Sequence, residues 1–162
     1  MILVLFGTNP YQFERLAQAV QDFVNITQKD VVVQLGNTIS DIPGAECYDF
    51  MPRPKLISFI EKADIIITQG GFGSIADCLQ YNKKIVAVPR RRELKECKDD
   101  AEGQVAIVRE LEGQGKLVGV YDIKDLQSAI KKVYTLKPQI TTTSKIPTIV
   151  ADFVKSVFGE KL

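Results

Sequence analysis

Three glycines in four positions, Gly70, Gly71 and Gly73, follow an apolar run and precede a helical pattern. Backbone N–H groups at such a place converge at the positive end of a helix, and residues without side chains let an anion reach them. Segment 68–77 is therefore a candidate diphosphate cradle. Asp77 stands three residues after Ser74, on the same helix face and one turn deeper. A carboxylate there can accept hydrogen bonds from ribose hydroxyls. A tight turn with a solvated aspartate is the plainer reading of the same residues, although glycine is costly in ordered structure without a reason. Gly71 to Ala76 also spells G-x-G-x-x-A, the dinucleotide fingerprint. That fingerprint belongs in the first βα unit, with an acidic residue ending the next strand; here the next strand ends in Pro89-Arg90.

Two further loops carry polar groups. Gly7-Thr8-Asn9-Pro10 follows the first apolar run, and Gly7 and Thr8 can bind a phosphate or hydroxyl there, or form an ordinary βα turn with an Asn or Thr cap. After Pro89 comes a charged stretch, 90–102, expected to be a loop. Arg90 is the candidate for pairing with phosphate, Glu96 for meeting sugar hydroxyls, and Gln104, at the start of the next helical pattern, for bonding a hexose or a base. A solvated charged loop explains the same residue types.

Composition removes many alternatives. The 162 residues contain no histidine. Ser-His-Asp and Cys-His nucleophile systems, His-ligated metals and an imidazole general base are thereby excluded. With 21 basic and 20 acidic side chains interspersed, no long-range field attracts nucleic acid. Cys47, Cys78 and Cys97 have neither CxxC spacing nor an even count, which points away from a zinc site or disulfide framework and toward a reducing cytoplasm. The opening MILVLFGTNP lacks a basic n-region and reads as a buried strand rather than a signal peptide. No apolar run approaches the ~20 residues that span a bilayer.

The elements that would position these loops alternate. Strands are expected at 2–6, 31–35, 47–50, 64–68, 84–88 and 117–120, several apolar on consecutive positions, as suits strands covered on both faces. Helical spacing recurs through Phe13, Leu16, Ala17, Val20 and Val24, through Leu56, Phe59 and Ile60, through Ile75 and Leu79, and through Val105, Val108 and Leu111. A last such run covers 122–134, with Asp122 as its N-cap. The pattern predicts an α/β doubly wound, Rossmann-like parallel sheet over residues 1–135. An extended connector at 136–148 and a C-terminal amphipathic helix within 149–162 would follow, the helix carrying Val150, Phe153, Val154 and Val157 on one face. That face suits packing on its own domain or on a partner.

The strings Ala63-Asp64-Ile65-Ile66-Ile67-Thr68-Gln69-Gly70-Gly71-Phe72-Gly73-Ser74 and Lys84-Ile85-Val86-Ala87-Val88-Pro89-Arg90 resemble the C-terminal, donor-binding half of GT-B glycosyltransferases of family 28. They look most like its small stand-alone members, which include the cytosolic subunit of the dolichol-linked chitobiose-forming transferase and bacterial exopolysaccharide or capsule subunits. Gly7-Thr8 before Phe13-Glu14-Arg15-Leu16, and Val32-Val33-Gln34-Leu35-Gly36, agree with that resemblance. It implies one half of a GT-B fold and a UDP-sugar-dependent hexosyltransferase subunit that needs neither metal nor cofactor. The sugar, a hexose or N-acetylhexosamine, would pass with inversion to a lipid-linked acceptor. The general base and the acceptor site would come from a membrane-anchored partner, which would keep a cytoplasmic chain peripheral at the membrane. Gly7, Thr8, Gly71, Gly73 and Ser74 would face the diphosphate, Asp77 the ribose and Gln104 the sugar. Two places depart from the family: Gln69 stands at the histidine of "SHAGSGS", and Cys97 within the segment matching "EHxDDHQ". An NAD(P)-binding Rossmann oxidoreductase and a non-catalytic donor-binding or interaction module are the competing readings.

Overall fold

The computed structural model describes residues 1–98 and 101–136. Residues 137–162, which hold nearly all of the expected connector and the whole expected C-terminal helix, lie outside the described residues. Six strands form one sheet: β1 (Ile2–Leu5), β2 (Val31–Gln34), β3 (Glu46–Tyr48), β4 (Ile65–Gln69), β5 (Lys84–Val88) and β6 (Val118–Gly119). Every neighbouring pair is parallel, in the order β3-β2-β1-β4-β5-β6. Helices α1 (Glu14–Val24), α2 (Arg53–Lys62), α3 (Phe72–Gln80), α4 (Ala101–Gly113) and α5 (Leu126–Val133) make the crossovers and close the chain.

The consecutive apolar runs are explained by two cores, one on each face of the sheet. Ile2, Val4, Ile65, Ile67, Val86 and Val88 point to the face covered by α1 and α5, where Leu16, Val20, Ile130 and Val133 meet them. Leu3, Leu5, Ile66, Ile85 and Ala87 point to the other face, against Ile60, Ile75, Cys78 and Val108. A strand with a helix on both sides has no face left to be polar. Burying each such Ile or Val stabilises the fold by roughly 1.5–3 kcal/mol before entropy is charged against it.

Local chemistry sets the element ends. The carboxylate of Asp122 accepts from the Lys124 N–H, the expected cap, but it caps a short 3₁₀ turn that leads into α5. Two expectations shift. The third strand ends at Tyr48, leaving Phe50 beyond it at 54% exposure. The charged loop is shorter than 90–102, since α4 already begins at Ala101.

Candidate functional site

In this strand order the chain leaves β1 and β4 toward opposite faces, so the sheet has its topological switch point between them. In open sheets of this kind that point, outside the carboxyl ends of the strands, is where a ligand-binding crevice is expected. The loops that face it are Gly7-Thr8 after β1 and Gly70-Gly71 after β4. The sequence motif and the fold therefore converge on one place.

The crevice is framed by side-chain amides. Gln34, the last residue of β2, accepts from the Gly7 N–H at 3.1 Å, and donates to the Gly7 carbonyl at 3.1 Å and the Asp49 carbonyl at 3.0 Å. One buried amide thus ties the loops after β1, β2 and β3. Gly7 has φ +74, and a methyl group there would sit 1.8 Å from Gln69 Nε2, so both conformation and space demand glycine. Gly36, at φ +63, is constrained in the same two ways, by the Gly7 carbonyl oxygen 2.1 Å from where its Cβ would be.

Helix α3 starts at Phe72 with Gly71 in the cap position and no side chain capping its N–H groups. Gly73 is exposed, and a Cβ built on it meets no atom within 4 Å, so there is room beside the helix start. Ser74 and Asp77 follow on the same helix, both half-buried. Asp77 is held by a bidentate fork from Arg53 at the start of α2, at 2.8 and 2.9 Å. The fork puts the carboxylate one turn behind the cradle, on the side of Phe50 and α2.

Three other expected site residues occupy a different position. Arg90, read from the sequence as a partner for phosphate, is 1% exposed and points into the protein. Its Nε donates to Gln69 Oε1 at 2.5 Å, its Nη1 to the carbonyls of Tyr11, Gln12 and Glu96, and its Nη2 to the carbonyl of Phe6. Its guanidinium carbon also lies 4.4 Å from the centre of the Phe13 ring. Burial pushes this guanidinium down from its ordinary 12.5 to about 10, so it remains charged at neutral pH. Glu96, expected to meet sugar hydroxyls, is 4% exposed; Arg15 holds both its oxygens at 2.8 and 2.9 Å, and the Arg91 N–H adds a third bond. Gln104 is 6% exposed, and its Oε1 accepts from the Arg90 N–H at 3.1 Å. These residues bind the loops after β1, β4 and β5 into one frame behind the crevice. Arg15, Gln34 and Gln69 belong to it and were not singled out as site residues from the sequence.

Two concavities flank this frame. One, of about 410 Å³, is lined by Pro89, Arg91, Arg109 and Tyr121 among others. The second, of about 660 Å³, lies between Tyr11, Arg15, Leu94 and Glu96. Neither contains the α3 start, which sits on the open surface between the loops. Among the described residues, no group of three or more Cys, Asp or Glu side chains is clustered to hold a metal ion, and no helix is long and apolar enough to cross a membrane.

The family model for the glycosyltransferase family 28 C-terminal domain matches residues 1–157. The chain belongs to this family. Its fold agrees with solved glycosyltransferases. The calicheamicin glycosyltransferase CalG4 superposes with a TM-score of 0.68 at 17% identity, covering 98% of this chain and 42% of that one. SnogD from Streptomyces nogalater gives 0.58 at 17%, covering 96% and 43%. The solution structure of ALG13 gives 0.57 at 15% identity, covering 98% of this chain and 94% of that one. The family 28 chain thus spans less than half the length of the first two and nearly all of the third. A search of curated proteins finds no significant match.

Proposed function

We propose that this chain is the donor-binding part of a glycosyltransferase that uses a UDP-sugar and passes a hexose or N-acetylhexosamine to a lipid-linked acceptor. The observation that carries the reading is the uncapped, sterically open start of α3 at the switch point, in a chain of glycosyltransferase family 28. Glycosyl transfer from a nucleotide sugar builds negative charge on a diphosphate as it leaves. N–H groups fixed at a helix start stabilise that charge with no reorganisation at the moment of reaction. Gly71, Gly73, Ser74, Gly7 and Thr8 are assigned to the diphosphate. Asp77 is assigned to the ribose, exchanging part of its Arg53 fork for hydroxyl donors. Glu96 and Gln104 act on the sugar side through the loops they hold. No metal is required, so nucleotide binding is expected to survive EDTA.

The base that deprotonates the acceptor is assigned to a membrane-anchored partner. Both oxygens of Asp77 and of Glu96 are already gripped by arginine. Exposed apolar side chains support a covering partner. Tyr11, Ile39, Phe50, Phe72 and Leu94 each come after the carboxyl end of a strand, at exposures from 36% to 89%.

The test is thermal unfolding against a panel of UDP-sugars, a dTDP-sugar and NADPH, with and without membranes. A ligand at a hundredfold its Kd stabilises by about 2.7 kcal/mol. UDP-sugars are expected to raise the midpoint, and transfer to appear only with membranes. Stabilisation by NADPH alone would replace this reading with the dinucleotide one.

A further inference from the structure

We propose that the side-chain amide of Gln69 is an anion-binding donor of the cradle, held in its binding orientation by Arg90. The inference rests on the proposed function for the identity of the anion, the diphosphate of a nucleotide sugar, and on geometry for the rest.

Gln69 closes β4 and is 7% exposed. An amide has an acceptor end and a donor end of nearly equal shape, and the hydrogen-bond network decides which faces where. Here the network leaves one answer. A guanidinium offers donors and no acceptor, and Arg90 Nε lies 2.5 Å from one end of the amide. That end is the oxygen, so the NH₂ group is turned away from Arg90 and toward the glycine loops. Nε2 would lie 1.8 Å from a Cβ on Gly7 and 3.2 Å from a Cβ on Gly71. It sits between the two loops that border the switch point, beside the cap position of α3.

This NH₂ group finds no acceptor among the described residues. It is also not sealed off, since the sealed side-chain atoms without a partner there are Gln21 Oε1 and Thr68 Oγ1. A donor that is fixed in direction and reached from outside is free to bond an acceptor that enters the space between the loops. The start of α3, whose N–H groups no side chain caps, follows at once from Gly71, where a Cβ would lie 3.2 Å from Gln69 Nε2. Two independent donor sets, one backbone and one side chain, therefore border the same space, and an anion with several acceptor oxygens satisfies both. Arg90 is a positioning residue here: it acts through the amide and does not touch the anion. Because an amide carries no titratable proton, this donor is present at every pH at which the chain is folded.

The test is Gln69→Glu, an exchange of nearly identical shape. One carboxylate oxygen keeps the bond to Arg90 and adds charge to it; the other puts a negative acceptor where the donor was. Affinities for inorganic pyrophosphate and for UDP are measured by titration calorimetry, together with the thermal midpoint of each protein without ligand. The expected result is a midpoint equal to or above that of the parent chain, with affinity for both probes lower by about tenfold or more. Unchanged affinities would overturn the role of Gln69 and leave the nucleotide-sugar reading in place. A parent chain that binds neither probe would overturn both. If Gln69→Glu does not fold, Gln69→Met, of similar length and without the donor, is measured against the same two probes, with the same expected loss.

Discussion

Two carboxylates near the crevice are each gripped by an arginine fork, and the two pairs are otherwise opposite. Glu96 and Arg15 have side chains 5% and 15% exposed, and the pair joins a network that also holds Arg90 and the loops after β1, β4 and β5. Asp77 and Arg53 are 18% and 67% exposed, and join α3 to the first residue of α2. In the first pair the charges are removed from water, so losing one partner strands the other. In the second, water can take the place of either partner at little cost. The contrast separates framework from proposed binding surface: the buried pair fixes where the loops stand, and the exposed one holds the carboxylate proposed to exchange partners when a ligand arrives.

The largest effect that would break this contrast falls on its buried side. Arg90→Met leaves five carbonyl oxygens facing an apolar chain, and is expected to cost about 3–5 kcal/mol in urea unfolding. A loss below 1 kcal/mol would mean the frame does not depend on that guanidinium. Next comes Glu96→Gln, expected to cost about 2 kcal/mol by the same measurement, because Arg15 loses its charged partner in a mostly buried site. On the exposed side, Asp77→Ala is expected to leave the urea midpoint nearly unchanged while weakening UDP-sugar binding about tenfold in calorimetry. Equal binding in the variant would remove Asp77 from the site.

The smallest effect lies at the opposite, amino-terminal ends of the two central strands. The ammonium group of Met1, at 2.7 Å, holds the Asp64 carboxyl below its ordinary 3.8. A carboxyl with a lowered folded-state pKa stabilises the fold above the unfolded value and loses that contribution as pH falls through the folded one. The difference in midpoint between Asp64→Asn and the parent chain should therefore be small at neutral pH, shrink with salt, and fade as the pH falls below 3.8 through the lowered folded-state value. A difference that grows on acidification would have the wrong sign.

Much of the fold was legible because burial on both faces leaves a simple mark: Ile65-Ile66-Ile67 and Val31-Val32-Val33 have no polar face to alternate with. The glycine turn into α3 was legible for a related reason, since glycines clustered between a strand and a helix are hard to explain by packing. The frame behind it was hidden. Arg90, Arg91 and Arg92 read as one solvated run, yet the first turns inward and the next two stay partly or fully exposed. The usable signal was position: Arg90 comes two residues after the last buried strand residue, as Gln34 and Gln69 close their own strands. Polar residues at the carboxyl ends of buried strands gather at the switch point, where the Gln34 amide and the Arg90 guanidinium tie the loops together. Sequence spacing alone does not show which donor faces the protein and which faces the crevice, because a single hydrogen bond from Arg90 sets the orientation of Gln69.

The most direct test of the whole account is Gly73→Val, read by titration calorimetry with a UDP-sugar that stabilises the parent chain. A Cβ at Gly73 meets nothing within 4 Å, so the variant should fold with an unchanged thermal midpoint. Its branched side chain would stand over the N–H groups at the start of α3. Folded protein that no longer binds the nucleotide is the predicted result; folded protein that binds it as tightly as before would contradict the assignment of the donor diphosphate to this helix start.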